Sequence, residues 1–202
     1  MSHWKTLSQP IEAKLNIRRS RFIAWIAPAS DAAEAARLVQ ERSQQFADAT
    51  HNCYAWITGW DRENTHYNDA GEPAGTAGKP IFNALMSAGL TNVVAVVTRY
   101  YGGVKLGVRG LIDAYFESTQ EALKDARTTA AIPMARIWVK CDYGESESVE
   151  GFVLSLGGSV VDKVFHEQVE ATFCLPESQL SALRENLDGL RHQGGLLYRL
   201  EE

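Results

Sequence analysis

The chain has 202 residues, of which 45% are hydrophobic and 22% are charged, and this balance excludes a predominantly disordered protein. The net charge of -5 argues against a protein that binds nucleic acid over most of its surface. No apolar run approaches the roughly 20 residues that cross a bilayer. The segment Met1 to Pro10 contains no apolar block, so no signal peptide is expected. Three widely spaced cysteines form no CxxC pair, which predicts a reducing cytoplasm without disulfides, metal or cofactor.

Residues 1–133 are predicted to form an α+β domain. The predicted strands are Ser20–Ile26, Asn52–Ile57 and Val93–Val97. The third strand has five consecutive apolar β-formers, which is typical of a strand buried on both faces. Asp31 and Glu34 have the spacing of a capping box and predict the start of a helix. A later helix is predicted over Leu111 to Ala126 from its apolar repeat.

Residues 134–202 are predicted to form a second domain. The boundary is placed at Pro133, because the residue before a proline avoids the helical region of backbone space. The predicted elements are a strand at Arg136–Asp142, a helix at Glu145–Leu156, strands at Ser159–Phe165 and Val169–Leu175, a helix with Pro176 in its first turn, and, after Gly194-Gly195, a strand at Leu196–Leu200. The order βαββαβ predicts a ferredoxin-like plait.

Charge is unevenly distributed along the chain. Residues 1–133 contain 14 Lys and Arg against 13 Asp and Glu, whereas residues 134–202 contain 6 against 12. The stretch Pro73 to Ile112 contains no acidic residue, although it contains four cations, Lys79, Arg99, Lys105 and Arg109. The stretch either presents a surface to an anion or is free of acids because much of it is buried strand and helix.

A first glycine-rich segment runs from Asp69 to Pro80. It is not a nucleotide-hydrolysing P-loop, because Pro73 stands where that motif needs glycine and Pro80 stands where it needs a hydroxyl. Pro80 suits the first position of a helix, and exposed amides at a helix N-terminus can hold a phosphate or a carboxylate. The candidate anion ligands are Gly75, Thr76, Gly78 and Lys79. The alternative is a tight structural crossover whose glycines let backbones approach.

A second glycine-rich segment follows the buried strand. Its cations are Arg99, Lys105 and Arg109, its tyrosines are Tyr100 and Tyr101, and its glycines are Gly102, Gly103, Gly107 and Gly110. Cations interleaved with aromatic rings are typical of single-stranded nucleic acid sites and of protein–protein hot spots alike. Gly107 to Gly110 also matches the GxxG pattern of loops that hold the backbone of a single-stranded nucleic acid. One of the two tyrosines is expected to be buried, since neighbouring strand residues face opposite ways.

Four residues are candidates for catalysis. His51 and Cys53 would share one face of a strand, which permits a nucleophilic thiol and base, although a cysteine there is more often a core residue. Asp69 and Glu72 would make a carboxylate pair or magnesium ligands, or would simply cap their own loop.

Three motifs together resemble the IMPACT/YigZ family. They are His51-Asn52-Cys53-Tyr54-Ala55-Trp56, the segment Asp69 to Pro80, and Val96 to Gly107 continuing through Gly110-Leu111 and Ala114-Tyr115. The resemblance implies an N-terminal domain like domain 2 of ribosomal protein S5 and a C-terminal domain like the plaits of elongation factor G. It also implies a link to translation, because eukaryotic relatives regulate translation by occupying an activator of the amino-acid-starvation kinase. The family usually has glycine where Arg109 stands.

The leading functional hypothesis is a cytoplasmic, non-enzymatic protein that binds RNA or a ribosome-associated partner. Arg99, Lys105 and Arg109 would contact phosphates, and one of the two tyrosines would stack on a base. One alternative is a protein–protein regulator without nucleic acid contact. The other is an enzyme that acts on a phosphorylated small molecule through the four catalytic candidates. The sequence sets no oligomeric state.

Overall fold

The computed structural model describes residues 4–60, 62–191 and 196–201. The chain divides into two compact units, Met1–Ala131 and Ile132–Glu202. Gly194 and Gly195, which were predicted to precede the last strand, lie outside the described residues. Among the helices of the described ranges, none is long and apolar enough to cross a membrane.

The N-terminal unit is built on a five-stranded antiparallel sheet. The described part of this unit contains the strands β1 (Lys5–Leu7), β2 (Ile11–Ile17), β3 (Ser20–Pro28), β4 (His51–Thr58), β5 (Asn64–Asn68), β6 (Val93–Tyr100) and β7 (Thr128–Ala130), five of which form this sheet. Its helices are α1 (Ala32–Gln45), α2 (Gly78–Ser87) and α3 (Gly107–Leu123). The sheet order is β2-β3-β6-β4-β5, while β1 and β7 pair separately. This mixed architecture is the α+β arrangement that the sequence predicts.

The central strand β6 is covered on both faces, as its apolar run predicts. Val93, Ala95 and Val97 belong to the main core with α2 and α3, whereas Val94 and Val96 pack with α1. Alternate side chains of a strand point to opposite faces, so this strand needs apolar residues at every position. The functional segments therefore extend from a rigid, buried scaffold.

The capping box at the start of α1 is confirmed. The Asp31 carboxylate accepts a 2.8 Å hydrogen bond from the Glu34 amide, and the Glu34 carboxylate accepts one of 2.8 Å from the Ser30 amide. These bonds satisfy amides that have no partner inside the helix. A local sequence pattern was sufficient here because the whole motif lies within five residues.

Two predicted helix boundaries in this unit are wrong. Helix α3 begins at Gly107 and ends at Leu123, so Gly107 to Gly110 forms its first turn and is not a GxxG loop. Helix α2 begins at Gly78, so Pro80 is its third residue and not its first. Strands β1, β2, β5 and β7 were not predicted. Strand β5 is exposed throughout and almost entirely polar, and therefore lacks the apolar alternation that identifies a strand.

The C-terminal unit contains a four-stranded antiparallel sheet and two helices. Its elements in chain order are β8 (Met134–Cys141), α4 (Tyr143–Ser155), β9 (Ser159–Phe165), β10 (Val169–Pro176), α5 (Leu180–Arg191) and β11 (Leu197–Glu201), and the sheet order is β11-β8-β10-β9. The elements follow the predicted order. Pro176 ends β10 and precedes a short 3-10 turn, so it does not lie in the first turn of α5 as predicted.

Candidate functional site

The first glycine loop, defined as residues 69–77, folds around its own carboxylate. The Asp69 side chain accepts hydrogen bonds from the amides of Gly75 at 2.8 Å, Ala77 at 2.9 Å and Gly78 at 2.8 Å. Burial raises the pKa of Asp69, but the hydrogen bonds from Gly75, Gly78 and Ala77 outweigh this and hold the pKa below its ordinary value. The carboxylate is therefore ionised at neutral pH and occupies the N-terminus of α2.

This geometry contradicts the predicted phosphate site. The amides of Gly75 and Gly78 are already bound to Asp69, and the amide and hydroxyl of buried Thr76 both donate to the Pro73 carbonyl. Lys79 is exposed, but the amides of Gly75, Ala77 and Gly78 near it already donate to Asp69 and are not free to bind a phosphate. The anion at this helix terminus is the protein's own carboxylate, which is the capping role given above as the alternative for Asp69.

The same loop inserts Glu72 into the core, where it meets Arg99. Glu72 Oε1 accepts a hydrogen bond of 2.5 Å from Arg99 Nη1 and one of 2.8 Å from the Tyr115 hydroxyl. Arg99 Nη2 also lies 3.3 Å from the Ser20 hydroxyl oxygen. The pair thus connects the first glycine loop to β3, β6 and α3, and both charged side chains are at most 5% exposed.

Arg99 is therefore not available to contact a phosphate. The prediction counted it among surface cations because no acid occurs between Pro73 and Ile112. Its partner, Glu72, immediately precedes that stretch, and the fold brings it to the strand. A buried guanidinium needs such a partner, since an unpaired charge in the core is strongly unfavourable.

His51 and Cys53 lie on the same strand but bond to the backbone of the first glycine loop. His51 Nδ1 is 2.9 Å from the Ala70 carbonyl, and Cys53 Sγ is 3.0 Å from the Asp69 carbonyl and 3.3 Å from the Tyr115 hydroxyl. Burial raises the pKa of Cys53 to about 12, so the side chain is a protonated thiol.

The arrangement contradicts a nucleophilic His51–Cys53 pair. Cys53 is fully buried, and the reactive form of cysteine is the thiolate. Asp69 and Glu72 are not a carboxylate pair either, because one bonds the amides before α2 and the other bonds Arg99. Within the described ranges, no group of three or more His, Cys, Asp or Glu is arranged to hold a metal ion.

The second glycine loop, residues 101–106, exposes Tyr101, Gly103 and Lys105 to solvent and buries Leu106 in the core. Tyr101 is 44% exposed and Lys105 is exposed, as is Arg109 in the first turn of α3. Gly103 and Gly107 have left-handed backbones with φ of 83° and 74°, which glycine adopts without strain. Arg109 has a helical backbone and is exposed, so the arginine side chain is accommodated at this position.

Neither tyrosine of the pair is buried, contrary to expectation. Tyr100 is half-buried and its hydroxyl donates a 2.8 Å hydrogen bond to Asp48, while the Tyr101 ring lies 5.4 Å from the Arg99 guanidinium carbon. Tyr100 is the last residue of β6 and Tyr101 follows it, after the fully buried part of the strand has ended. The aromatic surface at this point is therefore larger than the sequence predicts.

A group of cations beside the second glycine loop was missed. Arg18 and Arg19 form the turn between β2 and β3, and the Arg21 guanidinium lies 4.4 Å from the centre of the Tyr100 ring. A Cβ atom at Gly102 would lie 1.9 Å from the Arg19 carbonyl oxygen, so the loop and the turn are in direct contact. The available signal was three arginines, Arg18, Arg19 and Arg21, within four residues at the start of β3.

The fold and the site define an α+β protein of two units. In its N-terminal unit, one glycine-rich loop packs around a buried Glu–Arg pair and another is exposed. The family model for the Impact N-terminal domain matches residues 18–123. The chain belongs to the IMPACT family.

Relatives match over almost the whole chain. The IMPACT family member YigZ of Escherichia coli is 32% identical over 205 residues, covering 100% of both chains. The Bacillus subtilis member YvyE is 34% identical, covering 89% of this chain and 83% of its own. A crystal structure described as that of a hypothetical protein matches with a TM-score of 0.73 at 30% identity, covering 98% of this chain and 97% of that one.

Proposed function

We propose that this protein is a cytoplasmic, translation-associated regulatory protein that binds RNA through the second glycine loop of its N-terminal unit. The observation that carries the proposal is the exposure of Lys105 and Arg109 next to an exposed tyrosine, Tyr101. Exposed cations can neutralise phosphates, and an exposed ring can stack on a base. The association with translation is what the family resemblance implies.

The residues have different roles in this proposal. Lys105 and Arg109 contact the phosphate backbone, and Tyr101 receives a base. Arg99, whose guanidinium carbon lies 5.4 Å from the centre of the Tyr101 ring, is buried against Glu72 and makes no contact with the ligand in this proposal. Lys79 is exposed and adds positive charge to the surface, but the backbone amides near it are bound to Asp69 and do not contact the ligand.

We also propose the finer fold assignments that the family resemblance implies. The N-terminal domain, residues 1–133, would be similar to domain 2 of ribosomal protein S5. The C-terminal domain, residues 134–202, would be a ferredoxin-like plait, which its element order and its sheet order β11-β8-β10-β9 support. Both folds occur in proteins of many functions, so the RNA proposal rests on the side chains.

The test compares RNA binding by the wild type and the triple variant K79A/K105A/R109A. Anisotropy of a labelled single-stranded RNA of mixed sequence is measured over a range of salt concentrations. We expect the triple variant to bind about tenfold more weakly, and the slope of log affinity against log salt to fall by about 1.4, because Lys105 and Arg109 each lose a phosphate contact worth about 0.7 on a single strand.

The matched control is R37A/K124A/R127A, which removes the same number of exposed charges from other parts of the unit. Equal binding by the wild type and both triple variants would contradict the proposal. Loss of affinity in both triple variants would show a dependence on net charge alone, which also contradicts a site at the second glycine loop.

A protein partner is the second candidate, because Tyr and Arg dominate protein hot spots and Tyr101 is exposed with a guanidinium against its ring. Capture of partners from a ribonuclease-treated lysate by the wild type, and their loss with Y101A, would favour this alternative. An enzyme is not carried forward, because the structure gives His51, Cys53, Asp69 and Glu72 internal partners.

A further inference from the structure

The turn between β2 and β3 has an unusual backbone. Arg18 and Arg19 have φ of 45° and 69°, and Ile17 pairs with Ser20 across the turn. Two consecutive left-handed residues are typical of the type I′ hairpin, which strongly prefers Asn-Gly because most side chains are strained there. The chain therefore has two arginines at positions where local conformational preference selects against them.

The surrounding structure holds this strained turn in place. Strands β2 and β3 pair without interruption from Ile11↔Ile26 to Ile17↔Ser20, and β3 in turn pairs with the central strand β6. The Arg19 backbone also packs directly against Gly102, where no side chain would fit. Both arginine side chains are exposed, so the packing of the turn does not require arginine.

The turn adds charge next to the second glycine loop. We define the hairpin tip as Arg18, Arg19 and Arg21, all of which are exposed. No carboxylate of the described residues forms an ion pair with these three side chains. The nearby acid, Asp48, accepts the hydrogen bond from Tyr100, whose ring stacks against Arg21. The tip therefore has three exposed cations beside the two tyrosines.

We propose that the hairpin tip is a phosphate clamp for single-stranded RNA and works together with the second glycine loop. The inference rests on the proposed function and extends it by naming a second element and the form of the ligand. The guanidinium groups bind successive phosphates while a base stacks on Tyr101. A single strand is required because the bases of a duplex are already stacked on each other. In this proposal, the charge of the two arginines accounts for their presence in a strained turn.

The decisive variant is R18N/R19G, which installs the preferred turn and removes two charges. We expect the midpoint of thermal unfolding to rise, because Asn and Gly adopt the left-handed backbone readily. We expect affinity for the labelled single-stranded RNA to fall about tenfold and the salt slope to fall by about 1.4. Opposite changes in stability and binding would separate loss of the clamp from loss of the fold.

Two control variants complete the experiment. K124A/R127A removes two exposed charges at the other end of α3 and should bind RNA within about twofold of the wild type. R18K/R19K keeps the charge and should retain most of the salt slope. A labelled RNA duplex should bind more weakly than the single strand, and equal or tighter duplex binding would overturn the single-strand assignment.

The outcomes distinguish the two proposals. If the wild type binds no RNA, the proposed function fails and the clamp fails with it. If the wild type binds RNA and K79A/K105A/R109A binds weakly, but R18N/R19G binds like the wild type, the clamp alone is overturned. If R18N/R19G loses stability as well as binding, the turn has a structural role and the inference is also overturned.

Discussion

The two glycine-rich loops each contain two glycines but have opposite relations to charge. In the first glycine loop, backbone amides donate hydrogen bonds to Asp69, and Glu72 forms a buried ion pair with Arg99. In the second, Tyr101 and Lys105 are exposed. The difference comes from acids at the start of the first loop and from their absence in the second. Glycine and lysine alone therefore do not identify an anion site, because the anion can be the protein's own side chain.

The largest effect is expected from breaking the buried pair with E72A. Arg99 would remain charged in the core without its partner, so we expect the free energy of unfolding to fall by about 3–5 kcal/mol. Urea denaturation of the full chain, followed by tryptophan fluorescence, to which Trp25 and Trp56 on the core sheet contribute, measures this change. The double variant E72L/R99M, which removes both charges, should be less destabilised than E72A. A loss below about 1 kcal/mol in E72A would contradict the role assigned to the pair.

The contact between the second glycine loop and the hairpin tip predicts the next effect. A methyl group at Gly102 would collide with the Arg19 backbone, so G102A should lower the free energy of unfolding by about 3 kcal/mol. The neighbouring variant G103A is the control, because its Cβ would meet nothing within 4 Å. G103A should cost only about 1 kcal/mol of left-handed backbone strain. Equal effects at the two positions would refute the close approach.

A smaller effect is expected from D69A, because the amides around the start of α2 would lose their acceptor. Loss of such a cap costs about 2 kcal/mol, and the variant should show it at pH 6 in urea denaturation. The pKa of Asp69 is lowered by folding, so its stabilisation is present above its ordinary pKa of about 3.9 and is lost as the pH falls through the lower folded value. The difference from the wild type should therefore shrink below about pH 4. A difference that stays constant in acid would contradict an ionised cap.

The last prediction concerns a reaction rate and tests whether the first glycine loop is closed. Cys53 is fully buried and has a pKa of about 12, so iodoacetamide at pH 8 should not modify it in the native protein. Half-exposed Cys174 should react faster, although burial also raises its pKa. Peptide mass analysis assigns the site of modification, and denatured protein provides the control for full reactivity. Rapid native labelling of Cys53 would mean that the loop opens.

The sequence predicted the parts of the fold whose signals are local. The capping box of α1 lies within five residues, the buried strand β6 is an unbroken apolar run, and β9 was predicted with its correct ends. Strand β5 was missed because its exposed residues carry no hydrophobic pattern, and β1 and β7 because each is three residues long. Such strands are specified by the partner to which they bond, which lies elsewhere in the chain.

The candidate site was predicted only in part, for the same reason. Residues at the exposed end, such as Lys105 and Tyr101, could be recognised from composition. The sequence did not distinguish buried Arg99 from these exposed residues, because its burial depends on an ion pair with Glu72, which lies 27 residues away in sequence. The hairpin arginines were missed because the turn contacts Gly102 only in the folded structure.

The sequence by itself determined the family, the order of the main elements, and the positions where glycine permits a left-handed backbone. Only the tertiary structure decided which charges are neutralised and which remain exposed. The physical reason is that an ion pair depends on distance and burial in three dimensions, and both follow from strand register and helix packing. Arg99 and Lys105 have the same sign of charge and lie in the same acid-free stretch, but the first ends in the core against Glu72 and the second in solvent.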